Sequence, residues 1–360
     1  MIRAFLALLV AAASVYGEHV YIGSSGKGIY LADFDAKSGK LSAPALVADT
    51  PSPSYLTIHP DGRYLYAVNE TDQGSVTGFA MDRSSGKLTP VNTMSVKSAG
   101  PCYIAIDKSG KYAITANYSG GSITVLPIGS DGKLGEATDF IQNKGSGPNR
   151  DRQTSAHPHW VGFIPSSKLV LVADLGIDSV QIYNFAKGKL TVGNPAFMTI
   201  PPGSGPRHGA VHPNGKFFYI LTELTSVISE YYFEAELKRF TLVNSVKTLP
   251  DDFKGENTGA ELRIHPSGKF VYASNRGHDS IVAYSISDPK RGLLKLEQDI
   301  PSGGKTPRQF EIDPSGKWML VGNQGSDNIA IFSIDTATGK LTAAGTVAGV
   351  TKPACIKFVK

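Results

Sequence analysis

Short apolar runs separated by polar turns fill this chain, and the clearest pair lies between residues 206 and 224. Apolar runs at 209–211 and 217–221 flank Pro213-Asn214-Gly215. β-prone residues on both sides of a tight reversal predict a β-hairpin. The same turn recurs as Pro60-Asp61-Gly62, Lys108-Ser109-Gly110, Pro266-Ser267-Gly268 and Pro314-Ser315-Gly316, and in degraded form at Pro165-Ser166-Ser167. Each turn is followed by a second apolar run, such as 64–68 or 270–274. A third run follows a short polar turn, such as 75–79 or 280–284. A fourth often follows Gly-Lys-Leu, as at Gly86-Lys87-Leu88 and Gly339-Lys340-Leu341. Four strands per unit, repeating at roughly 48 residues, predict an all-β fold, a β-propeller. No stretch keeps a helical period, which argues against βαβ units.

The ends predict closure. The first unit, 19–48, opens on what should be a second strand at 20–23. Its inner strand is supplied by Pro353-Ala354-Cys355-Ile356-Lys357-Phe358, which aligns with Pro53-Ser54-Tyr55-Leu56-Thr57-Ile58. Six complete units and this composite make a seven-bladed β-propeller over 18–360, a single domain with no free sheet edge at the join. Residues 140–156 break the spacing, and a long polar loop in a compact domain is a place to look for function.

Charge changes the picture little. The chain has 36 Lys and Arg against 31 Asp and Glu, a net +5, without a basic tract. Nucleic acid is not an expected partner, and a small anionic ligand fits better. Arg3 precedes the apolar run 4–13, with small residues near Gly17. This predicts a cleaved export signal over 1–17, a periplasmic or extracellular mature chain, and no membrane attachment after cleavage. The two cysteines, Cys102 and Cys355, fall in units two apart and are expected to be free, buried thiols. No apolar stripe argues for a partner surface, so a monomer is expected.

Superposing the units puts Ser54, Cys102, His159, Arg207, Ala260, Arg308 and Ala354 at the entrance of each inner strand. His208 and Gln309 come one residue later. The second-strand exit is read as Gly23, Asn69, Asn117, Asp174, Glu223, Asn275 and Asn323, followed by residues that include Arg276 and Gln324. Antiparallel pairing brings all of these to one face of the ring. The first units are bland there, whereas those from His159 to Gln324 are rich in Arg, His and Glu. Such groups are costly to bury unless they pair or meet a ligand. His159, Arg207, Glu223 and Arg276 are the expected catalytic residues. His157, Asp174, His208, Arg308 and Gln324 are expected to bind substrate. His59, His212 and His265 lie in the opposite turns and read as turn hydrogen-bonders. The recurring asparagines read as ties between strands. No Gly-x-Ser-x-Gly, Walker or His-Glu-x-x-His motif is present. Arginines suit an anionic, carbonyl-bearing substrate, with a His or Glu moving a proton. Asp174, Glu223 and Glu261 offer oxygens to a cation, which the neighbouring arginines would oppose. No metal or cofactor is therefore expected.

Several segments resemble the seven-bladed lactonase family, which includes cycloisomerase-type 6-phosphogluconolactonases and carboxy-cis,cis-muconate cyclases. They are Gly145-Ser146-Gly147-Pro148 through Arg152-Gln153, His157-Pro158-His159, Asp174-Leu175-Gly176-Ile177-Asp178, Gly205-Pro206-Arg207-His208, Thr222-Glu223-Leu224 and Ser274-Asn275-Arg276-Gly277. The resemblance runs from about His19 to the C-terminus. It implies hydrolysis of a sugar lactone without a required metal, with His159, Arg207, Glu223 and Arg276 at the family's proposed active-site positions. A lactone-forming muconate cycloisomerase and a non-catalytic extracytoplasmic binding propeller are the alternatives. Trp160 follows His159 where the family commonly has a small polar residue.

Overall fold

A computed structural model describes residues 17–165 and 167–359. All but the last residue of the expected export signal lie outside them. Seven antiparallel sheets follow one another along the chain, each contributing a blade. Blade 5 shows the pattern: Pro206–Val211, Phe217–Thr222, Val227–Glu234 and Arg239–Lys247 pair in sequence order. The predicted hairpin is its inner half, with Gly215 at φ 70°, in the left-handed region the turn requires. The inner strand Phe217–Thr222 is buried on both faces where blades pack, and the outer strand Arg239–Lys247 is exposed over most of its length. Among the described residues the one helical element is a 3-10 turn, Leu175–Ile177.

Closure is as expected. Pro353–Phe358 pairs antiparallel with Glu18–Ser24, matching Ile356 to Ile22 and Cys355 to Gly23. Cys102 and Cys355 are free and buried.

Neighbouring blades are fastened by side chains that the repeat places at fixed points. The hydroxyls of Tyr21, Tyr66, Tyr219 and Tyr272 each donate to a glycine carbonyl of the next blade, at Gly86, Gly132, Gly292 and Gly339. The turn histidines do the same on the turn face. His59, His212 and His265 direct Nε2 to the carbonyls of Gly110, Gly268 and Gly316. Buried hydroxyls and imidazoles thus find partners, as burial demands. Asn69, Asn275 and Asn323 donate to carbonyls of the preceding blade.

Candidate active site

The inner strands enter the ring through a bulge. In blades 4, 5 and 7 the ladder jumps from Pro158 to Trp160, from Pro206 to His208 and from Pro307 to Gln309. The residues skipped are His159, Arg207 and Arg308. A bulged residue leaves the strict alternation of the pleat, so its side chain can be aimed independently. Together with Cys102, Ser54, Ala354 and the next-layer His208, these three line a narrow axial cavity with room for about one water-sized molecule.

Glu223 organises this mouth. Its Oε2 accepts from Arg207 Nε at 2.9 Å and lies 3.1 Å from Arg276 Nη2, while Oε1 accepts from Arg152 Nη2 at 2.5 Å. Burial alone would raise its carboxyl. Arg276, Arg207 and Arg152 overcome that and hold it well below the usual carboxylate range. Arg207 is 2% exposed and also donates Nη1 to the carbonyl of Ala260. Arg276 donates to the Gly259 carbonyl at 3.2 Å, yet its buried Nε has no partner. Arg308 lies 3.5 Å from Glu70. Four arginines therefore face two carboxylates, leaving a net charge of +2 (4 − 2).

His159 sits inside this positive field. It is 6% exposed, and its Nδ1 is buried without a partner. Burial first, then Arg207, His208, Arg308 and Arg276, push its pKa well below the ordinary imidazole value. The ring is neutral at pH 7 and keeps a lone pair for accepting a proton.

The family model for the seven-bladed β-propeller lactonases matches residues 18–358. The chain belongs to that family. A 6-phosphogluconolactonase of Bacillus subtilis is 33% identical over 341 residues, covering 94% of this chain and 96% of its own. The structure of the periplasmic gluconolactonase of Pseudomonas aeruginosa superposes with a TM-score of 0.90 at 30% identity, covering 95% of this chain and 99% of that one. A solved chain from Bacteroides fragilis gives 0.89 at 35% identity, covering 97% and 99%. By family the chain is a carboxylic-ester hydrolase of the lactonase type.

Within this lactonase the four expected catalytic residues come together at one mouth. The expected binding residues divide. Arg308 lines the cavity. His157 stands at the rim, stacked on Tyr118 at 4.5 Å, and donates Nδ1 to the Tyr118 carbonyl. His208 lies one layer deeper, 2.8 Å from Glu261, and burial pushes its pKa down to about 4. Two positions differ from expectation. Asp174 is fully buried, and its oxygens accept from Asn143 Nδ2 and from the backbone N–H groups of His157 and Gly176. Fully buried and holding three N–H donors, it positions His157 and caps the 3-10 turn and does not line the cavity, in contrast to the substrate contact expected of it. Gln324, at the rim position of blade 7, donates to Ser25 Oγ at 2.7 Å and so ties blade 7 to blade 1; it is not among the residues lining the cavity. The carboxylates weighed as cation ligands, Asp174, Glu223 and Glu261, lie in separate hydrogen-bond networks. Each carboxylate already takes N–H donors, and among the described residues no group of His, Cys, Asp and Glu is arranged to hold a metal.

Three residues of the mouth are not among the expected site residues: Arg152, which lies in a segment shared with the family, and Glu70 and Tyr118, which hold the same strand-exit position as Arg276. The register expected for blade 5 is also one residue off, as is that for blade 1, where Pro353 pairs with Ser24 and not with Gly23. Pro206 pairs with Thr222, as Pro101 pairs with Asn117 and Pro307 with Asn323. Thr222 therefore occupies the asparagine position, and Glu223 shares a position with Glu70, Tyr118 and Arg276. Counting from the turn glycine would have found this. The seventh residue after Gly62, Gly110, Gly215, Gly268 and Gly316 is Asn69, Asn117, Thr222, Asn275 and Asn323, and the eighth is the rim position.

The channel's other end has a different character. Below the cavity, Tyr55 and Tyr103 pack at 4.1 Å, and His208 meets Tyr103 edge-on at 5.4 Å. Beyond them Arg263 lies 3.4 Å from both Glu261 and Glu311, and Lys357 lies 2.8 Å from Glu311. Arg263, Glu311 and Lys357 line the opposite mouth together with the turn residues His59, Asp61 and Pro266.

Proposed function

We propose that the protein hydrolyses a sugar lactone, an aldonolactone of the 6-phosphogluconolactone type, at the arginine-rich axial mouth. The observation that carries this reading is His159: a neutral imidazole with an unpartnered nitrogen, bulged into a cavity it shares with Arg207 and Arg308. His159 takes a proton from water as the water oxygen bonds to the lactone carbonyl carbon. Negative charge develops on the carbonyl oxygen, where Arg207 and Arg276 stabilise it. The ring C–O bond then breaks. The departing alkoxide oxygen takes the proton back from the imidazolium, and an acid is left. Glu223 holds the arginines in place. Its depressed pKa and the three arginines on its oxygens make it a poor base, so the proton work falls to His159.

Names of relatives agree with this chemistry, since the Bacillus subtilis protein is a 6-phosphogluconolactonase and the Pseudomonas aeruginosa protein a gluconolactonase. The latter is described as periplasmic, which supports the further proposal that residues 1–17 direct export. Acid release from glucono- and 6-phosphogluconolactone by the purified protein tests the reading. His159→Gln should lower kcat/KM about 10²- to 10⁴-fold with the melting temperature retained. Full activity of the variant would end the role given to His159. A folded wild-type protein with no turnover of either lactone would favour a binding propeller instead.

A further inference from the structure

We propose that Arg152 is a specificity residue that receives a fixed anionic group of the substrate, remote from the lactone carbonyl. The inference rests on the lactonase reading above and adds to it a residue outside the repeat. Arg152 comes from the 140–156 loop, the one segment that breaks the spacing of the blades.

The loop is built to present it. Asn149 Oδ1 accepts from the N–H groups of Asp151 and Arg152, both at 3.1 Å. Gln153, fully buried, donates Nε2 to the Leu175 carbonyl and accepts from Asn149 N–H. The Gly147 N–H closes the turn on the Gln153 carbonyl at 2.9 Å, and a Cβ at Gly147 would meet the Gln153 side chain at 2.5 Å. These contacts fix the backbone on either side of one guanidinium.

That guanidinium is only half engaged. Nη2 donates to both Glu223 Oε1 and Tyr118 Oη. Nε and Nη1 make no hydrogen bond with any described residue, and the side chain is 37% exposed. It therefore stands at the open edge of the cluster, on the opposite oxygen of Glu223 from Arg207 and Arg276.

Charge gives the ligand its class. An intact lactone is neutral, and its transition state develops one negative charge at the carbonyl oxygen. The mouth carries a net +2, so positive charge remains after the oxyanion is met. A substrate bearing its own anion, of the phosphate monoester kind, matches that surplus, and the N–H groups left on Nε and Nη1 of Arg152 can donate to it beside the guanidinium's charge.

The alternative is that Arg152 merely steadies Glu223. The two roles separate on the ratio of substrates. We expect Arg152→Gln to lower kcat/KM for 6-phosphogluconolactone at least about tenfold more than for gluconolactone, mostly through KM. Arg152→Lys, which keeps the charge but not the spread of guanidinium donors, should recover part of the ratio. Equal losses on both substrates would leave Arg152 a support for Glu223 and overturn the proposal. Calorimetric binding of the ring-opened acids provides an arm independent of turnover. Wild type should prefer 6-phosphogluconate to gluconate by at least about tenfold, and Arg152→Gln should abolish that preference. A preference unchanged in the variant, or absent from the wild type, overturns the proposal. Failure of wild type to hydrolyse either lactone, with the preference present and lost in the variant, would remove the lactonase reading and leave Arg152 as the anion reader.

Discussion

Both ends of the axial channel are built from arginine and glutamate, but in different proportions. At the turn end Arg263 and Lys357 face Glu261 and Glu311, two cations against two anions. At the strand-entrance end four arginines face Glu223 and Glu70. Buried charges in balance have their partners within the protein and can serve as packing. A surplus leaves work for a ligand. The stoichiometry of charge, more than its presence, separates a filled channel from a candidate site.

The widest separation should come from the two buried glutamates. Glu261→Gln and Glu223→Gln each remove a carboxylate from buried cations and should each cost about 3–5 kcal/mol in denaturant unfolding. Only the second should also remove lactonase activity. Glu261→Gln, assayed where it is folded, should keep kcat/KM within about fivefold of wild type. Comparable catalytic losses in the two variants would mean that the ends are not independent.

Acid pH should sharpen the same contrast. His159 acts as a neutral base, and its pKa is lowered by burial and then by Arg207. Activity should therefore persist below pH 6.5 and fall only as pH drops through the lowered value. An acid limb of kcat/KM at or above 6.5 would contradict the neutral, arginine-surrounded imidazole. His208 obeys the same sign, with burial as the larger cause and a value of about 4. Both rings are neutral in the folded protein and protonate near 6.5 when unfolded, so they erode stability as pH falls from about 6.5 toward 4. A denaturation midpoint flat across that window would count against it.

The smallest effect belongs to the rim. Glu70 is partly exposed and 3.5 Å from Arg308, so Glu70→Gln should change stability by less than about 1 kcal/mol. It raises the surplus from +2 to +3 and should lower KM for a phosphorylated lactone by about two- to tenfold at low salt. A raised KM would show that Glu70 orders Arg308 more than it opposes the ligand.

Much of this was legible in the sequence because a repeat constrains every blade at once. The turn glycines gave the blade number, and the aligned C-terminal segment gave the closure. Free cysteines and tie-forming histidines followed from position alone. His159, Arg207 and Arg276 were visible as departures from bland equivalents. What failed was local. Glu223 stands where an asparagine seemed due only if blade 5 is shifted by one residue, and the polar Thr222 at the true position hid the slip. Asp174 carries the right chemistry, but its three donors come from a neighbouring loop and a 3-10 turn that periodicity does not show. Arg152 lies outside the repeat, so no register could place it beside Glu223.

The entrance bulge has a consequence for how such a ring can change. Each bulged residue is left out of the ladder, so its identity is weakly coupled to the strand pairing that holds its blade. The ring thus offers interchangeable sockets around one axis. Those holding His159, Arg207 and Arg308 are chemically occupied, whereas those holding Ala260 and Ala354 are blank. Exchange at a socket leaves the strand ladder intact, so its cost falls on the side chains around the axis: a larger residue at Ala260 or Ala354 must find room in a filled centre, and loss of Arg207 strands the Glu223 carboxylate. A ring built this way keeps every blade in place while the groups around its axis change together.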